Sequence, residues 1–126
     1  MKVREVASSA VVTVGPMQTL REAARLMATH RVGSAVVQDA EHLAGILTER
    51  DVLLAVAEGQ DPETELVGDH LTPDAVSAEP GWDLERAAAA MVRGGFRHLV
   101  VCDGPEVVGV LSVRDLVRVW SAAPAR

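Results

Sequence analysis

The chain has 126 residues, 48% of them hydrophobic and 24% charged, with a net charge of -6 at pH 7. That length holds one compact domain or two small halves sharing a core, and the composition is that of a folded chain, not a disordered one. The acidic balance argues against a general nucleic-acid binder, which needs clustered Lys and Arg, but leaves room for a small phosphorylated ligand held by one local positive site. Cys102 is the only cysteine, so an intrachain disulfide and a four-cysteine zinc site are excluded. Its neighbours in HLVVCD mark it as a buried strand residue. The N-terminal MKVREVASSAVVTVG lacks the sustained apolar stretch of a signal peptide. No run of about 18 apolar residues is present to span a membrane, so a cytoplasmic protein is expected.

In chain order, AVVTV (10–14) is a short β-branched strand, ended by Pro16. Thr19 can cap a helix running through about His30. On it Leu20, Ala23, Ala24 and Met27 form an i, i+3, i+4, i+7 apolar stripe. SAVVQD (34–39) and LAGILT (43–48) predict two strands joined by the turn DAEH, and ERDVLLAVAEG begins a second helix. Residues 59–64 then read as a polar linker, with Gly59 closing the helix and Pro62 preventing its continuation.

The same elements then return. GILTERD (45–51) reappears as GVLSVRD (109–115), and the same offset brings many other residues onto their like. Val3 falls on Val67, Val12 on Val76, Pro16 on Pro80, and Leu20 on Leu84. Ala23, Ala24 and Met27 fall on Ala87, Ala88 and Met91, while Val36, Val37 and Asp39 fall on Val100, Val101 and Asp103. No gap is needed. The chain is thus expected to hold two copies of one unit, 1–58 and 65–122, followed by a frayed tail at 123–126. Each copy reads β-α-β-β-α, an α+β arrangement. A three-stranded sheet with helices on one face is incompletely covered alone, so two copies are expected to pack about a pseudo-twofold axis. The second helices carry apolar residues on more than one face: Val52, Leu53, Leu54 and Val56 in one, Leu116, Val117, Val119 and Trp120 in the other. That surplus predicts a homodimer.

The repeated heptad supports two readings. Thr48-x-x-Asp51 and Ser112-x-x-Asp115 both match a capping box, which starts a helix without any ligand. The usual fourth residue is Glu or Gln, which reaches back farther than Asp. The other reading uses the same place in the chain. A helix N-terminus offers unpaired N–H groups and partial positive charge to a phosphate, while the hydroxyl and carboxylate can bond phosphate or ribose oxygens.

The tandem repeats, each ending in G-apolar-apolar-[TS]-x-x-D, resemble a CBS-domain pair, or Bateman module. RVGSAVVQD and FRHLVVCD resemble that family's second strand, and the likeness covers nearly the whole chain. The resemblance implies an adenosyl ligand such as AMP, ADP, ATP or S-adenosylmethionine in clefts between the repeats. It also implies a dimer of pairs and a regulatory role toward another protein, with no other cofactor required. With no attached domain in this sequence, a stand-alone member is expected. Asp51 and Asp115 would then hold ribose, and Thr48 and Ser112 would contact phosphate or ribose. Arg50 and Arg114 recur beside them. His30 and Arg31 follow the first helix and are candidates for phosphate. The second copy has Gly94 and Gly95 there, with its basic pair shifted to Arg97 and His98, so the two sites are not expected to be equivalent. Val12 and Val76, Val36 and Val100, and Ile46 and Val110 are candidates for an adenine slot, or ordinary core. His30 can instead complement its helix dipole, and the arginines can be surface ion-pair partners.

No other chemistry is expected. His30, His42, His70 and His98 show no metal-ligand spacing, and neither a nucleophile elbow nor a phosphate-binding P-loop is present. The leading expectation is a non-enzymatic adenosyl-ligand sensor with an unidentified regulated partner. A ligand-free docking module is the alternative, and an enzyme using the paired carboxylates a weaker third.

Overall fold

A computed structural model describes residues 1–73 and 77–122. Val76 of the expected adenine slot and the tail 123–126 lie outside the described residues. The chain divides into two compact units: Val12–Ala75, and Met1–Val11 together with Val76–Arg126.

In the unit Val12–Ala75, β1 (Thr13–Val14) runs parallel to β2 (Ser34–Asp39), which pairs antiparallel with β3 (His42–Thr48). Between β1 and β2 lies α2 (Leu20–His30), and α3 (Glu49–Ala57) follows β3. Thr19 starts α2 through reciprocal bonds with Glu22, the capping-box arrangement. The buried residues of α2 are Leu20, Ala23 and Met27. They join Val14, Ala35, Val37, Leu47 and Ala55 in one cluster, in which each fully buried Leu contributes about 1.5–3 kcal/mol. Gly59 stands just past α3 with φ +83, the left-handed conformation that suits glycine after a helix.

The second unit repeats this order. In it β5 (Ser77–Ala78) runs parallel to β6 (His98–Asp103), which pairs antiparallel with β7 (Glu106–Ser112). The helices are α4 (Leu84–Gly94) and α5 (Val113–Ser121), with Leu84, Ala87, Met91, Leu99, Val101, Leu111 and Leu116 as core.

Three features differ from the expectations. The first strand spans only Thr13–Val14, not residues 10–14, because a tight Val11 N–H to Ser9 carbonyl bond precedes it and Gly15–Pro16 follow. Cys102 is half-buried, not fully so, and follows a register shift in β6; its partial burial raises the thiol pKa. Finally, the segment leading each copy is structured and belongs with the other copy. The helix α1 (Val3–Val6) joins the second unit, where Val3 and Arg4 donate their N–H groups to the Trp82 and Pro80 carbonyls. A 3₁₀ turn (Val67–Asp69) does the same in the first unit, where Val67 and Gly68 donate to the Gln18 and Pro16 carbonyls. Val3 and Val67 are both completely buried. Beyond that turn, β4 (Thr72–Pro73) adds a fourth strand beside β3, while its counterpart Ser8 makes an isolated bridge to Val110. The first sheet is therefore four-stranded, not three-stranded.

Candidate functional site

The strand-to-helix junctions at Thr48 and Ser112 are built alike. Thr48 has extended backbone, which turns its hydroxyl toward the helix it begins. Asp51 Oδ2 accepts the Thr48 N–H at 2.8 Å and the Thr48 hydroxyl at 3.0 Å, and the Asp51 N–H donates to Thr48 Oγ1 at 3.2 Å. In the second copy Asp115 Oδ2 accepts the Ser112 N–H at 2.8 Å, and the Asp115 N–H donates to Ser112 Oγ at 3.1 Å. The capping reading is thus realised in full, and Asp is long enough to close the box.

Closure leaves a limited set of groups for a ligand. The Glu49 N–H donates to the Gly33 carbonyl and the Val113 N–H to the Arg97 carbonyl, each at 2.9 Å. With the third helical N–H in the box, each helix start keeps one backbone donor without a partner among the described residues, that of Arg50 or Arg114. Each carboxylate also keeps a second oxygen. Asp51 Oδ1 has no partner among the described residues, and Asp115 Oδ1 has only Arg118, 3.9 Å away. Both aspartates are half-buried. Each junction therefore presents a carboxylate acceptor fixed in direction, one N–H donor and an adjacent arginine. That set suits a vicinal diol with a nearby anion better than a phosphate cradled by several backbone donors.

Arg50 and Arg114 are exposed and make no ion pair among the described residues. His98 opens β6 directly opposite Ser112, so the fold brings Arg97, His98, Ser112, Arg114 and Asp115 to one end of the second sheet. Ser34 holds the corresponding place opposite Thr48. His30 and Arg31 lie upstream at the end of α2. There His30 Nδ1 meets the Leu26 carbonyl at 2.9 Å, and Arg31 has left-handed backbone, φ 56. Both are exposed, and neither makes a hydrogen bond to Thr48 or Asp51 among the described residues.

The candidate adenine residues separate by sheet face. Val12 belongs to the helix-facing core, and its carbonyl accepts the Val36 N–H at 2.8 Å. Val36 pairs in register with Ile46, and Val100 with Val110. Strand alternation turns these four away from the helix-facing neighbours Ala35, Val37, Leu47, Leu99, Val101 and Leu111. Sequence reasoning missed Gly33 and Glu49, which differ in kind from their counterparts Arg97 and Val113. Pairing the two copies position by position could have found them.

Among the described residues no group of His, Cys, Asp and Glu is placed to hold a metal ion, and no helix is long and apolar enough to cross a membrane.

This twice-built junction on a repeated α+β unit is the mark of a tandem-repeat domain family. The family model for the CBS domain matches residues 3–58 and again 67–122. The chain belongs to the CBS-domain family. It is 36% identical over 115 residues to the CBS domain-containing protein YhcV of Bacillus subtilis, covering 90% of this chain and 81% of that protein. It is also 36% identical over 117 residues to an uncharacterized protein of Methanocaldococcus jannaschii, covering 92% of this chain but only 41% of that longer protein. Among solved structures, a CBS domain protein of Pyrobaculum aerophilum complexed with AMP superposes with a TM-score of 0.83 at 28% identity. The match covers 97% of this chain and all of that one (100%).

Proposed function

We propose that the chain is a non-catalytic regulatory module. It binds an adenosyl ligand, AMP, ADP, ATP or S-adenosylmethionine, and transmits occupancy to a partner protein. The observation that carries this reading is the pair of half-buried aspartates, each held by its capping box through one carboxylate oxygen, with the second oxygen outside the box. The AMP complex of the Pyrobaculum relative supports the ligand class. In this reading Asp51 and Asp115 accept ribose hydroxyls, and Thr48 and Ser112 orient them. Arg50, Arg114 and the basic residues nearby face the anionic end of the ligand, and adenine lies against Val36 and Ile46 in the first unit or against Val100 and Val110 in the second.

Isothermal titration of the full chain with AMP, ADP, ATP and S-adenosylmethionine tests it. A hydrogen bond to a charged group contributes about 1.5–3 kcal/mol, so Asp51→Ala or Asp115→Ala should weaken the ligand at its own junction roughly 10- to 150-fold. Absence of binding by every ligand, with no thermal stabilisation, would sink the proposal.

A second reading rests on the exposed apolar side chains of α3 and α5: Leu53, Leu54, Val56, Val117 and Trp120. In either reading each helix offers these side chains to a second copy of the chain. In a ligand-free docking module they carry the whole function, and the aspartate variants change stability alone.

A further inference from the structure

The two junctions share a backbone but not a charge. In each, the first helical residue donates its N–H to a carbonyl just before the second strand: Glu49 to Gly33, and Val113 to Arg97. The Glu49 carboxylate folds back over Gly33, with Oε1 3.2 Å from where a Cβ would stand. It occupies space that glycine leaves open. At the second junction that place in the chain carries an exposed arginine, and the first helical residue is apolar. The free N–H of Arg50 therefore has Glu49 and Asp51 on either side of it in the chain, whereas Arg114 has only Asp115. That aspartate has Arg118 3.9 Å from its second oxygen. The position matching Arg118 is Leu54.

Like charges at close range disfavour binding even near the surface, and an acidic residue in the first turn already satisfies the positive end of a helix. Resting on the adenosyl reading above, we infer that the two motifs are specialised by charge. The second motif, built with Arg97 and Val113, takes a phosphorylated adenosyl ligand. The first, built with Gly33 and Glu49, takes an adenosyl group without phosphate. Residues 49 and 113 are then specificity-determining positions, with Arg97 the main phosphate partner. Arg31 does not reverse the assignment, because it sits at the end of α2 and makes no hydrogen bond or ion pair with the junction among the described residues.

The test is isothermal titration of the full chain with two probes, AMP and adenosine, at low and high salt. Asp51→Ala and Asp115→Ala locate each probe. AMP binding should depend on Asp115 and weaken with salt, whereas adenosine binding should persist at Asp51 and be insensitive to salt. Val113→Glu and Arg97→Gly should each weaken AMP about tenfold without affecting adenosine. Arg31→Gly should change AMP affinity less than about twofold. Glu49→Val should let AMP occupy the first junction as well, raising its stoichiometry. Should Val113→Glu fail to fold, Arg97→Gly, altering an exposed side chain, carries the test. AMP binding that tracks Asp51, or an Arg97→Gly variant that weakens both probes equally, overturns the charge assignment while leaving the adenosyl reading intact. A wild-type chain that binds neither probe overturns both.

Discussion

Helices α2 and α4 occupy equivalent places in the two copies, yet their ends are held by different means. Thr19 and Glu22 cap α2 locally, and hydrogen bonds from Thr19 lower the Glu22 carboxyl pKa. At α4 the N-cap Asp83 makes no side-chain cap bond; instead its carboxylate binds Lys2 from the N-terminal segment at 2.8 Å. At the other end, α2 is closed by Arg31 and α4 by Gly95, both with left-handed backbone at φ 56 and 68. The same fold is thus met once by neighbouring residues and once by distant ones, and once against a steric preference and once with it. A repeat preserves the geometry each position needs, and the chemistry that supplies it is free to drift.

Three perturbations sharpen that comparison, beginning with the largest. Gly45 and Gly109 open the twin heptads, and each lies under the backbone of a leading segment. A Cβ at Gly45 would collide with the Thr72 carbonyl oxygen, and one at Gly109 would lie 2.8 Å from the Ser8 carbonyl oxygen. Gly45→Ala should cost about 1–3 kcal/mol and Gly109→Ala less within that range, read from urea midpoints. Equal costs would mean that β4 and the Ser8 bridge yield equally.

Next come the C-terminal caps. Gly95→Ala should destabilise by about 1 kcal/mol, and Arg31→Gly should stabilise by up to about 1 kcal/mol. Thermal melts that fail to move in opposite directions would show that Arg31 gains something its strained backbone conceals.

The smallest effects lie at the helix starts. Thr19→Ala should cost about 1 kcal/mol, whereas Lys2→Ala should barely shift the midpoint, because its ion pair is exposed. The bond from Lys2 lowers the Asp83 pKa, with their charge attraction adding to it. A depressed carboxyl pKa contributes stability above its unfolded value and loses it as pH falls through the folded value. Any difference between wild type and Lys2→Ala should therefore vanish in acid. A difference that grows in acid would place the Lys2 contribution elsewhere.

The elements inside each copy were legible because their causes are local. Strand β2 covers the residues expected, and α2 runs from the residue after Thr19 to His30. Alternation, apolar spacing and a capping hydroxyl act over a few residues. The leading segments were not legible: α1 has 4 residues and the 3₁₀ turn 3, too short for any periodicity, and their partners lie far along the chain. The heptads could be read as capping boxes from spacing alone. How much of each box remains free for a ligand could not, because it depends on N-cap dihedrals and on a carbonyl contributed by the residue just before a neighbouring strand.

By itself the sequence determined the repeat, its α+β element order, its family and the two Asp-bearing junctions. All follow from residue types at fixed separations. Tertiary structure alone decided that each copy's leading segment completes the other copy's unit. It likewise decided that Glu49 lies over Gly33 where Val113 adjoins Arg97, and that the second oxygen of each aspartate stays outside its box. These depend on which distant backbone atoms come within hydrogen-bonding distance, and a linear spacing does not encode that.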